Sequence, residues 1–170
     1  MKQIFITTSF LLCCSLLNKH KEALLAFNIY QASQDGGAKA PLEKITAMLQ
    51  TSKGKSTSTV YEITGAKSTT RVYAVEAKFK TASDLKTLKT DPATVIQLYK
   101  LEAGKNRRLF SLTTDSKVQS SMITISFQQE DYGNYKIILT SYLIPGEYAF
   151  IDKTTAATDG SVTVFAFGID

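Results

Sequence analysis

Side chains that could act as a nucleophile, a base or a metal ligand are scarce in this chain. It holds one histidine, His20, and two adjacent cysteines, Cys13 and Cys14. Zinc, haem and iron–sulfur sites need several such ligands, so no metal and no cofactor is expected. A Ser-His-Asp site needs a histidine inside the fold, and none follows His20. A P-loop phosphate cradle and an H-E-x-x-H zinc motif are both missing. Ser83-Asp84-Leu85-Lys86 matches the S-x-x-K nucleophile motif, but its S-D-N and K-T-G companions are absent. A chain rich in Ser and Lys meets that spacing by chance, and a helix start or loop is the simpler reading. Carboxylate catalysis needs two acids about 5–10 Å apart on facing elements. Glu130 and Asp131 are neighbours at a turn, and Glu147, Asp152, Asp159 and Asp170 sit at strand ends or turns with nothing to pair them. No catalytic residue is assigned.

The basic residues offer one candidate. Arg107-Arg108 precedes Leu109-Phe110 on an expected strand, so one guanidinium faces out and the other in. Such a fork binds carboxylate or phosphate well, which makes the pair a possible anion contact. The competing reading is a structural ion pair with Glu102 or Glu147. Lys78, Lys80, Lys86 and Lys89 flank a polar loop, where lysines solvate the surface and discourage edge-to-edge pairing. The net charge of +5 is mild, and no concentrated basic face argues for nucleic acid.

These residues must be placed by the elements around them. Met1-Lys2-Gln3 is followed by Ile4 to Leu17, a 14-residue stretch without charge, closed by Asn18-Lys19-His20-Lys21-Glu22. A membrane-spanning helix needs about 20 apolar residues; this length suits a secretory leader. Cleavage after Ala26 would start the mature chain at Phe27. It would remove Lys2, Lys19, Lys21 and Glu22, lowering the net charge from +5 to +3, and would leave no cysteine. Leu11-Leu12-Cys13-Cys14 also resembles a bacterial lipobox, which would lipidate Cys14 and attach the protein to the outer membrane. Two small apolar residues within a leader, or an uncleaved anchor, are the alternatives.

Residues 27–57 read as a tether with one short helix. Pro41 suits a first helical position, and Leu42, Ile45, Met48 and Leu49 share a helical face. From Thr59 the period becomes 2. Met122 to Gln128 and Asn134 to Thr140 alternate and are joined by a tight turn, which predicts a β-hairpin. Residues 59–64, 71–79, 94–101, 106–113, 147–152 and 161–168 are further expected strands. On 71–79, the residues Tyr73, Val75, Ala77 and Phe79 share one face. No βαβ rhythm and no repeat is visible. The expected fold is all-β: an antiparallel Greek-key, Ig-like β-sandwich of seven or eight strands over residues 58–170, preceded by the leader (residues 1–26) and the short helix.

Leu143-Ile144-Pro145-Gly146-Glu147-Tyr148 sharpens this reading. The pattern L-x-P-G-x-Y resembles the tyrosine corner of Greek-key sandwiches, in which the Tyr hydroxyl bonds to backbone a few residues upstream. Leu143, Pro145, Gly146 and Tyr148 are therefore assigned structural roles. The run Leu143 to Phe150 (LIPGEYAF), a variable hairpin and a close of Val164 to Asp170 (VFAFGID) is similar to the C-terminal part of small secreted proteins of Bacteroidetes-type bacteria. Those chains also carry a stretch like Ile96 to Arg107. The resemblance spans about residues 60–170 and implies secretion and a β-sandwich; it carries over no functional residue.

Together these features point to an exported β-sandwich, periplasmic, outer-membrane-associated or extracellular, without a catalytic site and with a binding or structural role toward a partner protein, a glycan or an envelope surface. A hydrolase with a non-standard Ser/Lys or carboxylate site and a surface subunit oligomerising through an edge strand are the rival classes.

Overall fold

In the computed structural model, residues 27–33, 40–50, 59–82, 91–112, 118, 120–131 and 133–170 are described. Cys13, Cys14, His20, Ser83, Lys86, Lys89 and Tyr132 lie outside them.

The last two strands set the architecture. β13 (Gly146–Asp152) and β14 (Val162–Ile169) are nearly continuous hydrophobic runs, because both of their faces are buried. They pair antiparallel along their whole length, Tyr148 opposite Phe167. Alternation sends Tyr148, Phe150, Phe165 and Phe167 to one core and Ala149, Ile151, Val162 and Val164 to another.

The second core lies inside a curled sheet. Its path runs β7 (Ile96–Lys100), β13, β14, β3 (Glu43–Gln50), β4 (Val60–Thr64), β9 (Arg107–Ser111) and β8 (Glu102–Ala103). Only Leu101 separates β7 from β8. β7 pairs with β13 on one side, and its continuation β8 pairs with β9 on the other. The curl therefore closes on itself around Ala47, Tyr61, Ile63, Tyr99, Phe110 and their neighbours, with Tyr61 stacked on Phe110 at 5.0 Å.

The first core lies between this curl and a smaller sheet of β11 (Ile125–Asp131), β12 (Asn134–Leu139), β6 (Phe79–Ala82), β1 (Asn28–Gln31) and β2 (Ala40–Pro41). Phe79 meets Phe150 and Phe167 at 5.1 and 4.7 Å. Phe27, Ile29 and Ile137 complete the small sheet's contribution. The fold is thus all-β and sandwich-like. β5 (Arg71–Val72) adds to β14 in parallel, and β10 (Ser121–Ile123) adds to β7.

Three strands switch sheets. Leu42 separates β2 from β3, Thr124 separates β10 from β11, and residues 73–78 separate β5 from β6. In each case one stretch of chain serves the small sheet at one end and the curl at the other, which makes corners of the sandwich.

Four sequence expectations are corrected. The helix expected after Pro41 is strand β3. Ile45, Ala47 and Leu49 turn into the curl at period 2, while Met48, assigned to the buried helical face, is exposed. Both periods fit KITAMLQ, and pairing with β14 and β4 decides between them. Pro41 lies on edge strand β2, where a missing N–H is tolerated. Residues 27–57 are not wholly a tether either, since Phe27, Ile29, Leu42 and Ala47 are core residues. Residues 71–79 are not one strand: a 3₁₀ turn at Ala74–Glu76 breaks them, and Tyr73 and Val75 face outwards. The strand number is also larger, with fourteen among the described residues: sheet switches divide two expected strands, β1, β2 and β3 form where a tether and helix were expected, and β8 adds a short strand after Leu101.

Candidate functional site

The corner residues come together as a unit. Leu143 is buried between the sheets, and the chain turns through Pro145 into Gly146, whose φ of +154° suits a residue without Cβ. The Tyr148 hydroxyl donates to the Ile144 carbonyl at 2.6 Å, and its ring stacks on Phe167 at 5.5 Å. A residue with a fully buried ring thus ties down the turn that leads into β13.

The two arginines separate as alternation requires. Arg107 is exposed and pairs with Glu62 at 3.2 Å. Arg108 points into the curl on the same face as Phe110 and is fully buried. Its Nε donates to the Gly65 carbonyl at 3.1 Å and its Nη2 to the Thr64 carbonyl at 3.3 Å. Nη1 lies 3.6 Å from Glu43 and 3.6 Å from Glu147, both of which enter the same end of the curl. Glu102, the other acid considered, stands opposite Leu109.

A second guanidinium closes this end. Arg71 pairs with Glu147 at 2.5 Å and with Asp170. The Asp170 hydrogen bond is the foremost cause of the rise in the Arg71 pKa, and the same bond holds the Asp170 carboxyl below its ordinary range. Ser68 donates its N–H to Glu147 at 2.7 Å and its hydroxyl to Glu43 at 2.5 Å. The sequence signal for Arg71 is indirect, and it lies in Gly168. A Cβ at that position would stand 1.6 Å from Arg71 Nη1. Gly168 and Asp170, both in the terminal FGID, together make a seat for the Arg71 guanidinium. The acids gathered here are held by guanidinium and backbone donors, and the cluster braces one end of the curl. It offers an incoming anion little: Arg107 already has Glu62, and Arg108 is buried.

The surface carries a different feature. At the corner formed by residues 73–78, β6 leaves β12 after the Phe79–Ile137 pair. β12 runs on through Ile138 and Leu139, the chain continues to Ser141 and Tyr142, and a groove of about 400 Å³ opens between the two segments. Ala74, Ala77 and Leu139, which pack on the inter-sheet core, form part of its lining. Val75 and Tyr142 also line it and are 80 and 92 % exposed. Their chain neighbours Tyr73 and Ile144 are exposed as well, and Lys78 and Lys136 supply positive charge. Single exposed apolar residues are ordinary, but Val75 and Tyr142 face one apolar-floored groove together. The sequence hid it because Tyr73 and Val75 read as the buried face of a strand.

No protein-family model matches the chain, and neither the curated proteins nor the solved structures contain a match to it.

Proposed function

We propose that the protein is an exported, non-catalytic β-sandwich that binds a partner protein, taking an extended apolar segment of it into the groove between residues 74–78 and 138–142. The observation that carries the reading is the exposure of Val75 and Tyr142 beside a groove that opens where β12 loses β6 as its neighbour. An extended segment lying beside a strand recovers main-chain hydrogen bonds and inserts alternate side chains into apolar space. Lys78 and Lys136 favour a segment with acidic flanks.

Export is supported by Lys2 and the uncharged run Ile4 to Leu17, and by the resemblance of the C-terminal close to small secreted proteins. The destination proposed is the periplasm, the outer membrane or the exterior, with Cys14 as the anchor if the lipobox is used. A non-catalytic role is supported by the engagement of Glu43, Glu147 and Asp170 in ion pairs.

Selection of peptides from a random extended library tests the reading. Apolar peptides with acidic flanks should bind the wild type and lose at least about tenfold in affinity on Val75→Asp or Tyr142→Asp, with the melting temperature unchanged. Peptides that bind these variants as well as the wild type would overturn it. So would a glycan that binds in their place and is lost on Tyr142→Ala.

A further inference from the structure

Asp152 ends β13 and is fully buried. Its Oδ1 accepts the Thr154 N–H at 2.9 Å and the Thr154 hydroxyl at 2.6 Å. Its Oδ2 has no donor in hydrogen-bond geometry among the described residues. The cation that acts on it is Lys44, whose ammonium lies over the Phe165 ring at 5.8 Å from its centroid. Burial, the foremost influence, pushes the Asp152 pKa up, and the backbone nitrogen of Phe27 approaches closely enough to pull it partly back. Among the described residues the carboxylate is therefore underpaired, in a place where an unpaired charge is costly.

Phe27 is itself a core residue, packed in the same cluster as Ile96 and Phe150. Ile96 stands opposite Asp152 in the β7–β13 register, and Phe150 precedes it by two residues on the same face. As an ordinary peptide nitrogen, Phe27 offers one N–H. It is also the residue at which the sequence places the mature start, after Ala26.

We propose that the Asp152 carboxylate is the binding site for the α-ammonium group of Phe27, so that removal of the leader completes the inter-sheet core. This rests on the export reading. The step is hydrolysis of the Ala26–Phe27 amide by a leader peptidase: the C–N bond breaks, the oxygen of one water goes to the Ala26 carboxylate, and both of its protons end on the new amine, which becomes the ammonium. One N–H becomes an ammonium with three donors and a full positive charge beside a buried anion. The precursor keeps the carboxylate underpaired; the processed chain satisfies it. The leader then acts as a brake on stability until export.

The test compares the full chain retained as precursor with the processed protein from the native host, each as wild type and as Asp152→Asn. N-terminal sequencing of the processed form should begin at Phe27. Processing should raise the wild-type melting temperature by on the order of 5 °C or more, and should raise that of Asp152→Asn by less than about half as much. If Asp152→Asn does not fold, acylation of the α-amine reads the same contact: in native wild type it should be at least about tenfold slower than in urea. Equal gains in both backgrounds, or equal labelling rates, would overturn the proposal. A mature start at another residue would overturn it while leaving export intact. Retention of Met1 in the natively produced protein would overturn export as well.

Discussion

Gly168→Ala removes no hydrogen bond and adds a single methyl group, yet it should be among the most damaging small changes in this chain. Gly168 lies inside β14 and shows no positive φ, so its own backbone does not require glycine. What requires it is Arg71: a Cβ would lie 1.6 Å from Nη1 and 2.1 Å from Cζ. The guanidinium must leave its seat. It then gives up Glu147, whose side chain is 6 % exposed, and Asp170, which is 52 % exposed. The exposed pair is worth little. Glu147 is the costly part, because a buried carboxylate that loses a partner is penalised by several kcal/mol. It keeps the Ser68 N–H at 2.7 Å and Arg108 at 3.6 Å, and the Arg71 side chain is itself 31 % exposed, so the loss is moderated. We expect about 1–3 kcal/mol, read as a fall in the urea midpoint at constant slope. Gly104→Ala is the control: its Cβ would meet the Arg107 carbonyl at 3.4 Å in an exposed turn, and it should stay within about 0.5 kcal/mol. The decisive measurement is the cycle with Arg71→Ala. If displacement of Arg71 is the mechanism, Gly168→Ala should cost little in the Arg71→Ala background. Additive losses would refute the reasoning and place the cost in the strand backbone.

Two further predictions use the corner and the ion pairs. Tyr148→Phe keeps the ring and removes the bond to the Ile144 carbonyl, costing roughly 0.5–1.5 kcal/mol, whereas Tyr148→Ala also empties a ring-sized space and should cost roughly 3–5 kcal/mol. Tyr142→Ala, at a 92 % exposed position, should stay within about 0.5 kcal/mol; urea midpoints that rank Tyr148→Ala no worse than Tyr142→Ala would dismiss the corner. Asp170 titrates below its ordinary range in the folded chain, chiefly through its hydrogen bond to Arg71. The unfolded chain therefore takes up that proton first as pH falls, and the stability Asp170 contributes is present above the ordinary carboxylate range and lost on the way through the lowered pKa. Wild type should exceed Asp170→Asn in stability at pH 6, and the difference should close in acid; a difference that widens as pH falls would contradict the pairing.

What the sequence made legible is the part governed by local periodicity and turn chemistry. The hairpin of β11 and β12, the corner at Tyr148 and the opposite orientations of Arg107 and Arg108 follow from alternation, from Pro145-Gly146 and from the Gly133 turn, each contained in a few residues. Glu147 could be weighed as a partner for Arg108 because an inward guanidinium on an expected strand needs an acid and Glu147 opens another. β3 was illegible for a physical reason: Leu42, Ile45, Met48 and Leu49 satisfy a helical face, and only pairing with two distant strands selects period 2. The turn at Ala74–Glu76 was hidden in the same way. Tyr73, Val75, Ala77 and Phe79 alternate like a strand, but Val72 is committed to β14 and Phe79 to the small sheet, so the residues between must cross from one to the other. Closure of the curl depends on β7 continuing past Leu101 to meet β9, a pairing that no local pattern announces.

The groove and the C-terminal close belong to different parts of this logic. The close is one mechanical unit: Leu143 plugs the inter-sheet core, Tyr148 fastens the turn before it, Glu147 enters the curl beneath Arg108, and Gly168 and Asp170 seat Arg71 over Glu147. Each residue there is constrained by another in the same unit, so a substitution must be compensated inside it. The rim of the groove carries Val75, Ser141 and Tyr142, which are exposed and outside those constraints, while Ala74, Ala77 and Leu139 on its floor pack on the core. A chain of this design can keep its close and change its partner. If the groove is the binding surface, chains similar to this one in LIPGEYAF and FAFGID should differ most at positions equivalent to Val75, Ser141 and Tyr142. Exchanging those rim residues between such chains should then exchange the peptides they select while leaving the unfolding free energy within about 1 kcal/mol. Peptide preferences that stay with the rest of the sandwich would instead place recognition elsewhere on its surface.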